Sequence, residues 1–160
     1  MKGKYIVDII RNGEVIDSFE VENLITKEGK AYLLKVGFTG APPIANWYVG
    51  LKGSMINVSE NDTAQTALGS NGTYAELTSY TSTTRVPYQS QWDNTINILT
   101  NQANVAIFEA SADMTVNGFF IVSSGTKNSN TGILFSAVNF TNPKNLAQGD
   151  SLAIRYDVTI

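Results

Sequence analysis

Neither cysteine nor histidine occurs among the 160 residues of this sequence. The lack of cysteine excludes disulfide bonds, thiolate nucleophiles and sulfur-ligated metals. The lack of histidine removes the commonest general base and the commonest metal ligand, so a serine–histidine–acid triad is impossible. An enzyme could still use Asp, Glu, Lys or Tyr, but we predict that the protein is not an enzyme and that it binds neither a cofactor nor a metal.

Basic residues are also few: 11 Lys and Arg stand against 14 Asp and Glu, which gives a net charge of -3. A nucleic-acid partner needs a basic footprint, so we expect none. Apolar runs such as "VNGFFIV" at 116–122 are far too short to span a bilayer. Near the N-terminus, Asp8 and Arg11 interrupt the apolar residues too early for a signal peptide. We expect a soluble protein that is made in the cytosol and has no membrane partner.

Apolar and polar residues alternate regularly along much of the chain. The last segment, "AQGDSLAIRYDVTI", has apolar residues at every second position from Leu152 to Ile160. A period of two is typical of a β-strand with one buried face. Turn-rich segments such as "DMTVN" and "TNPKNLAQGD" separate further short strands, which we predict at 46–52, 83–89, 95–99, 105–110, 118–123, 133–140 and 151–160. Many short strands with polar turns predict an all-β sandwich or barrel of eight or nine strands.

The first 75 residues add a hairpin, a helix and a long loop to this pattern. The Asn-Gly pair of "RNG" predicts an antiparallel hairpin over 4–21, because a type I′ turn needs positive φ at both central residues. Thr26 is a candidate N-cap for one short helix at about 27–36, ended by Gly37, whose apolar face closes one end of the domain. The polar stretch 53–73 forms a long loop, in which "DTAQTAL" can make one helical turn. We predict a single domain over 1–160, with the main sandwich at about 46–160.

Aromatic residues are concentrated in the middle third of the chain. They can fill the core, anchor a protein interface or stack on sugar rings, and the sequence leaves these three interpretations open. Trp47 and Tyr48 are neighbours in a predicted strand, so at most one of them points inward. The candidate interface residues are Trp47, Tyr48, Trp92, Tyr88, Tyr5 and Arg11.

Two pairs of carboxylates are candidate sites for chemistry. Glu60 and Asp62 lie in "SENDT", which lacks the spacing and the distal Glu of a calcium loop. Glu109 and Asp113 could form a glycosidase pair, but nothing around them positions a substrate, and any β protein with this many acidic residues offers such a pair. We interpret both pairs as solvated side chains.

The C-terminal half of the chain resembles a recurrent design in virion proteins of tailed bacteriophages. The residues that carry the resemblance are "NGFFIVSSGTKNSNTGILFSAVNFTNPKNLAQGDSLAIRYDVTI", and "NLITKEGKAYLL" and "WYVGLKG" resemble further segments of such proteins. The resemblance implies a jelly-roll-like antiparallel β-sandwich without catalytic residues. It also implies that Asn23, Gly29, Gly149 and Asp150 are structural, with the last two forming the turn before the final strand.

The resemblance implies a phage capsid decoration, or cement, protein. Such a protein is synthesised in the host cytoplasm, binds the major capsid protein on the outer surface of the assembled head, and stabilises the shell as a homodimer or homotrimer. We expect the contacts on the hairpin 4–21 and the loop 53–73. One alternative is a tail-fibre or receptor-binding component with an exposed aromatic groove for a glycan. A second is a β-sandwich enzyme acting on glycans, with two carboxylates in a cleft.

Overall fold

The structure is a computed structural model that describes residues 1–159. Within these residues the chain forms eleven strands and two short helices. In chain order they are β1 (Lys2–Arg11), β2 (Glu14–Ile25), α1 (Lys27–Thr39), β3 (Tyr48–Lys52), α2 (Ala64–Ala67), β4 (Glu76–Leu77), β5 (Val86–Pro87), β6 (Gln91–Asp93), β7 (Ile98–Thr100), β8 (Ala106–Glu109), β9 (Met114–Val122), β10 (Leu134–Leu146) and β11 (Ser151–Thr159).

All pairs of neighbouring strands are antiparallel, which confirms the predicted all-β class, although the predicted count of eight or nine strands is too low. The strand order is β4-β3-β9-β10-β2-β1-β11-β7-β6, with β5 beside β3 and β8 beside β11. Strand β2 joins two halves of this sheet, because most of it pairs with β1 while Leu24 and Ile25 pair with β10. We call the two parts the β1 half-sheet (β1, β11, β8, β7, β6) and the β9 half-sheet (β3, β4, β5, β9, β10).

The main hydrophobic core lies between the two half-sheets. Alternate residues of β1 and β11 point into it, as the period of two predicts. The ring centroid of Tyr5 lies 4.5 Å from that of Tyr156 on the neighbouring strand and 5.4 Å from that of Phe119 in β9. Side chains from both half-sheets therefore pack together here. Tyr5 is fully buried in this core, and its prediction as an interface residue is therefore wrong for this fold.

A second, smaller core covers the outer face of the β9 half-sheet. Residues 53–75, which we call the cover segment, pack Leu68 and Tyr74 against Phe120 and Val122 of β9. Strand β9 is therefore buried on both faces, which explains why residues 118–122, "GFFIV", are continuously apolar rather than alternating. The long polar loop predicted at 53–73 thus includes a packed layer, and α2 is the helical turn predicted within it.

Lys52 fastens the cover segment to the sheet. Its side chain is completely buried, and its Nζ donates hydrogen bonds to the backbone carbonyls of Ser54 and Ile56, the latter at 2.8 Å. The ammonium also lies 5.0 Å from the ring centroid of Tyr74. Burial lowers the pKa of Lys52 to about 8. All of these contacts are made within the protein, so we interpret Lys52 as a structural residue.

The N-terminal hairpin forms as predicted. Strands β1 and β2 pair antiparallel, and the two residues between them, Asn12 and Gly13, have φ of 51° and 78°. These are the positive values that a type I′ turn requires.

Helix α1 begins as predicted and ends later. The Oγ1 of Thr26 accepts a hydrogen bond from the backbone N–H of Gly29 at 3.0 Å, which is the expected N-cap. The helix continues past Gly37 and stops at Gly40, because Gly40, with φ of 68°, adopts the left-handed conformation that ends a helix. Gly29 allows α1 to approach β10 closely, since a Cβ at this position would lie 2.6 Å from the backbone oxygen of Phe135.

Several predicted boundaries in the later part of the chain are wrong. The strand predicted at 95–99 is displaced, because Asn97 has φ of 52° and residues 94–97 form the turn between β6 and β7. The predicted turns "DMTVN" and "TNPKN" lie largely in β9 and β10, which resume pairing at Lys144 and Val116 after an irregularity in β10. The strand predicted at 83–89 shrinks to the two residues of β5. In β11 the described part ends at Thr159, and Ile160 lies outside the described residues.

A buried ion pair joins β4 to the residue that precedes β5, at the edge of the β9 half-sheet. The Nη2 of Arg85 lies 2.6 Å from Oε2 of Glu76, its Nε lies 2.8 Å from Oε1, and both side chains are completely buried. Arg85 also donates to the backbone carbonyls of Ser124 and Ser129, at 2.8 and 2.7 Å. The pair therefore ties β4 and β5 to the loop between β9 and β10.

Replacing Tyr80 with Phe is expected to raise the free energy of unfolding by about 1 kcal/mol at neutral pH. The phenolic oxygen of Tyr80 is buried and has no hydrogen-bond partner among residues 1–159, and an unpaired buried polar group costs about 1–3 kcal/mol. The aromatic contacts with Phe108 and with the Nζ of Lys127, 3.8 Å from the ring centroid, are kept by Phe. Urea unfolding measures the change, and a loss of 1 kcal/mol or more would contradict this account of Tyr80.

Candidate docking surface

Helix α1 carries the most exposed large apolar side chain of residues 1–159. Phe38 is 85% exposed, and Leu34, one turn earlier on the same face, is 60% exposed. In this helix only Gly29 is fully buried, so the prediction that its apolar face closes one end of the domain is largely wrong. The orientation follows from Gly29, which faces Phe135 and leaves Leu34 and Phe38 at the surface. A contiguous exposed apolar patch is a candidate interaction site.

The exposed face of α1 is flanked by positive charge. Lys30 and Lys35 are exposed beside Leu34, and neither makes an ion pair within the part of the chain that the structure describes. The acidic residue of α1, Glu28, is instead turned inward, where its Oε2 accepts from the backbone N–H of Leu134 at 2.7 Å. The face is therefore apolar with a basic rim, which is complementary to an apolar surface with acidic groups around it.

An open cavity of about 290 Å³ lies beside α1, and its lining is mostly apolar. Tyr32 and Leu33 of the helix form part of its wall, together with Trp47, Tyr88 and Phe135. This volume is near the lower end of the range for ligand pockets, about 300–1,000 Å³, and suits one large apolar side chain or a small apolar ligand. The exposed face of α1 (Lys30, Leu34, Lys35, Phe38) and this cavity are together called the α1 surface below.

Aromatic contacts hold the wall of the cavity in place. The ring centroid of Trp47 lies 5.4 Å from that of Tyr32 and 5.7 Å from that of Phe135, both in edge-on arrangements. The hydroxyl oxygen of Tyr32 accepts a hydrogen bond from the backbone N–H of Ile44 at 2.6 Å, which fixes the segment after α1. Tyr88 donates its O–H to the backbone carbonyl of Tyr156 at 3.0 Å. The cavity is thus preformed.

Of the predicted interface residues, the structure brings Trp47 and Tyr88 together. Both line the cavity, Trp47 half-buried and Tyr88 buried. Tyr48 is also half-buried, but its ring lies against Gly125, where an added Cβ would come within 2.7 Å of it. Trp92 belongs to a separate depression at the β6–β7 edge. These aromatic residues therefore do not form one groove.

Arg11 is engaged in an internal contact. Its Nε and Nη2 lie 2.9 and 2.7 Å from the two carboxylate oxygens of Asp150. The guanidinium holds the pKa of the Asp150 carboxyl below its usual value. Asp150 also accepts from the backbone N–H of Ala147 at 2.9 Å, and Gly149 in the same turn has φ of 89°. Asp150 thus forms the predicted turn and in addition links it to the end of β1.

Three of the four candidate carboxylates have structural partners. Glu60 lies 3.0 Å from Nζ of Lys27, which lowers the pKa of the Glu60 carboxyl. Asp62 accepts from the O–H of Tyr74 at 2.8 Å. Asp113 accepts from the backbone N–H of Gln148 at 2.8 Å. Within residues 1–159 no group of three or more acidic side chains is placed to hold a metal ion, and neither helix there has the length and hydropathy of a membrane span.

No protein-family model matches this chain, and no curated protein matches it. The α1 surface is therefore the candidate functional site. Leu34 and Phe38 are the functional candidates that sequence reasoning missed. Their spacing of four residues was visible in the sequence, but the same spacing also fits a helix face directed into the core.

Proposed function

We propose that this protein is a capsid decoration protein of a tailed bacteriophage, which binds the outer surface of the assembled head through the α1 surface. The observation that carries the proposal is the exposure of Phe38 and Leu34 on α1. Other residues of the same helix, Tyr32 and Leu33, line a preformed apolar cavity. The identity of the partner, the major capsid protein, comes from the resemblance to phage virion proteins. The α1 surface replaces the hairpin 4–21 and the loop 53–73 as the first candidate for the contact.

The chemistry of the α1 surface supports binding without a reaction. Burying a Leu or Phe side chain contributes about 1.5–3 kcal/mol, so the two exposed residues can supply a large part of a micromolar interaction. Lys30 and Lys35 direct these residues toward a shell surface with acidic groups around an apolar patch. A side chain from the shell fits the cavity next to Leu33.

Stabilisation of the head follows from mass action. A ligand that binds only the assembled shell stabilises it at every occupied site, and the sites are repeated by the symmetry of the head. A homodimer or homotrimer on a symmetry axis of the shell strengthens the attachment further, because each additional contact of one oligomer is intramolecular. Modest affinity of each copy for the shell is then sufficient for stable attachment to the head.

Sedimentation with expanded, empty phage heads tests the proposal. We expect the wild-type protein to sediment with the heads, and the double variant Leu34→Ser, Phe38→Ser to bind at least about tenfold more weakly, because a loss of 1.4 kcal/mol is tenfold in affinity. Both side chains are largely exposed, so the free energy of unfolding of the variant is expected to lie within about 0.5 kcal/mol of the wild-type value.

A matched control comes from the tip of the hairpin, where Val15 and Ile16 are also exposed apolar neighbours. The variant Val15→Ser, Ile16→Ser is expected to bind heads like the wild type. Failure of the wild-type protein to sediment with heads would contradict the proposed function. Equal binding by the α1 variant, with loss in the hairpin variant, would move the contact to the hairpin.

A further inference from the structure

A broad open depression of about 640 Å³ lies along the β6–β7 hairpin at the edge of the β1 half-sheet. Its residues are separate from those that line the cavity at α1. The indole of Trp92 forms part of its wall and is 47% exposed, whereas the rest of the wall is mostly polar. An exposed tryptophan in polar surroundings presents one flat apolar face that is accessible to a ligand.

Polar side chains without internal partners surround Trp92. The side-chain amides of Gln91, Asn94 and Gln102 line the depression and make no hydrogen bonds to other described residues. Each amide offers two N–H donors and one acceptor oxygen. Asp93 uses one carboxylate oxygen to accept from the backbone N–H of Thr95 at 2.8 Å, and its other oxygen has no partner among residues 1–159.

We propose that this depression is a binding site for a neutral carbohydrate. The indole of Trp92 stacks on the apolar C–H face of one sugar ring, and the amides of Gln91, Asn94 and Gln102 exchange hydrogen bonds with its hydroxyl groups. The free oxygen of Asp93 accepts from a further hydroxyl. Sugars combine an apolar face with many hydroxyl groups, and this wall offers one aromatic plane among both donors and acceptors.

The charge of the wall decides between classes of ligand. Neither Lys nor Arg lines the depression, and Asp93 makes it acidic, which disfavours phosphate, sulfate and acidic sugars. The wall has a single large apolar residue, whereas the centre of a protein interface usually buries several. A neutral oligosaccharide is therefore the ligand that the side chains complement best.

This site goes beyond attachment to the head. A protein on the outside of a particle that also holds a neutral glycan would bring the particle to carbohydrate-coated surfaces. The two activities use different residues, so each can fail without the other.

Nuclear magnetic resonance of the ¹⁵N-labelled protein tests the site directly. The probes are maltohexaose, cellohexaose, chitohexaose and mannohexaose, each added up to about 10 mM. This concentration detects binding as weak as about -3 kcal/mol. We expect at least one of them to shift the indole N–H signal of Trp92 and the side-chain amide signals of Gln91, Asn94 and Gln102 in a saturable way. The indole signal of Trp47, in the other cavity, serves as an internal reference and should not move.

Two variants make the result specific. Trp92→Ala is expected to lose the saturable shifts, whereas Ile96→Ala, at an exposed apolar residue of the same hairpin outside the depression, is expected to keep them. The absence of saturable shifts with all four oligosaccharides overturns the proposal, and so do unchanged shifts in Trp92→Ala. Binding of Trp92→Ala to phage heads should equal that of the wild type, which separates a failure of this site from a failure of the proposed function.

Discussion

Replacing Arg85 with Ala is expected to lower the free energy of unfolding by about 3–5 kcal/mol. Removing the guanidinium leaves the carboxylate of Glu76 buried without its partner, and an uncompensated buried charge is among the most costly defects in a protein interior. The substitution also removes donors from the carbonyls of Ser124 and Ser129. Since a domain is typically stable by about 5–15 kcal/mol, this one side chain accounts for a large fraction of the total.

Urea unfolding followed by circular dichroism measures the loss, and two comparisons identify its cause. Lys4→Ala breaks the exposed ion pair with Glu20, at 3.0 Å, and is expected to cost less than about 1 kcal/mol. The double variant Arg85→Met, Glu76→Leu removes both charges, and we expect it to be more stable than Arg85→Ala alone. A loss below 1 kcal/mol for Arg85→Ala would show that the pair is not buried as described.

Raising the pH from 10 to 11 is expected to lower the free energy of unfolding by about 5 kcal/mol in total, or about 1 kcal/mol for each of five buried tyrosines. Burial is the main cause that raises the pKa of each phenol above its ordinary value, to about 12 for Tyr156. The five residues are Tyr5, Tyr74, Tyr80, Tyr88 and Tyr156.

The direction follows from proton binding in the two states. Above pH 10 the unfolded chain releases phenolic protons that the folded protein retains, so the stabilisation is complete below pH 10 and is lost as the pH rises. Lys52 acts in the opposite direction, because its pKa is lowered to about 8 and the unfolded state holds its proton more tightly up to about pH 10.5. We therefore expect a modest rise in stability above pH 8, followed by the steep loss above pH 10.

Unfolding in urea at pH 9, 10 and 11 measures this dependence, and absorbance at 295 nm reports ionised tyrosine. Tyr80→Phe removes one of the five groups without removing a hydrogen bond, so its loss between pH 10 and 11 should be smaller by about one fifth. Equal stability of the wild type at pH 9 and 11 contradicts the burial of these rings, as does ionisation of all five at pH 10 in the folded protein.

Local patterns in the sequence predict the parts of the fold that local interactions determine. The type I′ turn at Asn12 and Gly13, the N-cap of Thr26 and the alternation in β11 all depend on neighbours within four residues, and all appear in the structure. The strand predicted at 95–99 is wrong because Asn97 takes a left-handed conformation in a short hairpin turn. The alternation of apolar and polar residues, on which the prediction is based, does not indicate the backbone conformation of a single residue.

Contacts between distant segments account for what the sequence does not predict. The direction of α1 depends on the close approach of Gly29 to Phe135, more than 100 positions away along the chain, and an isolated helix pattern contains no information about it. The pairing of Arg85 with Glu76 depends on how β4 and β5 come together beside β3. The location of the α1 surface follows from the first of these contacts, so it could be found only in the folded chain.

Electron cryo-microscopy of phage heads incubated with the purified protein tests the proposed attachment most directly. We expect additional density on the outer surface of the shell, oriented so that α1 faces the capsid subunits and Phe38 lies in the contact. Density in which α1 points to solvent while another face touches the shell would contradict the assigned surface. Heads that remain bare at saturating protein would contradict the function itself.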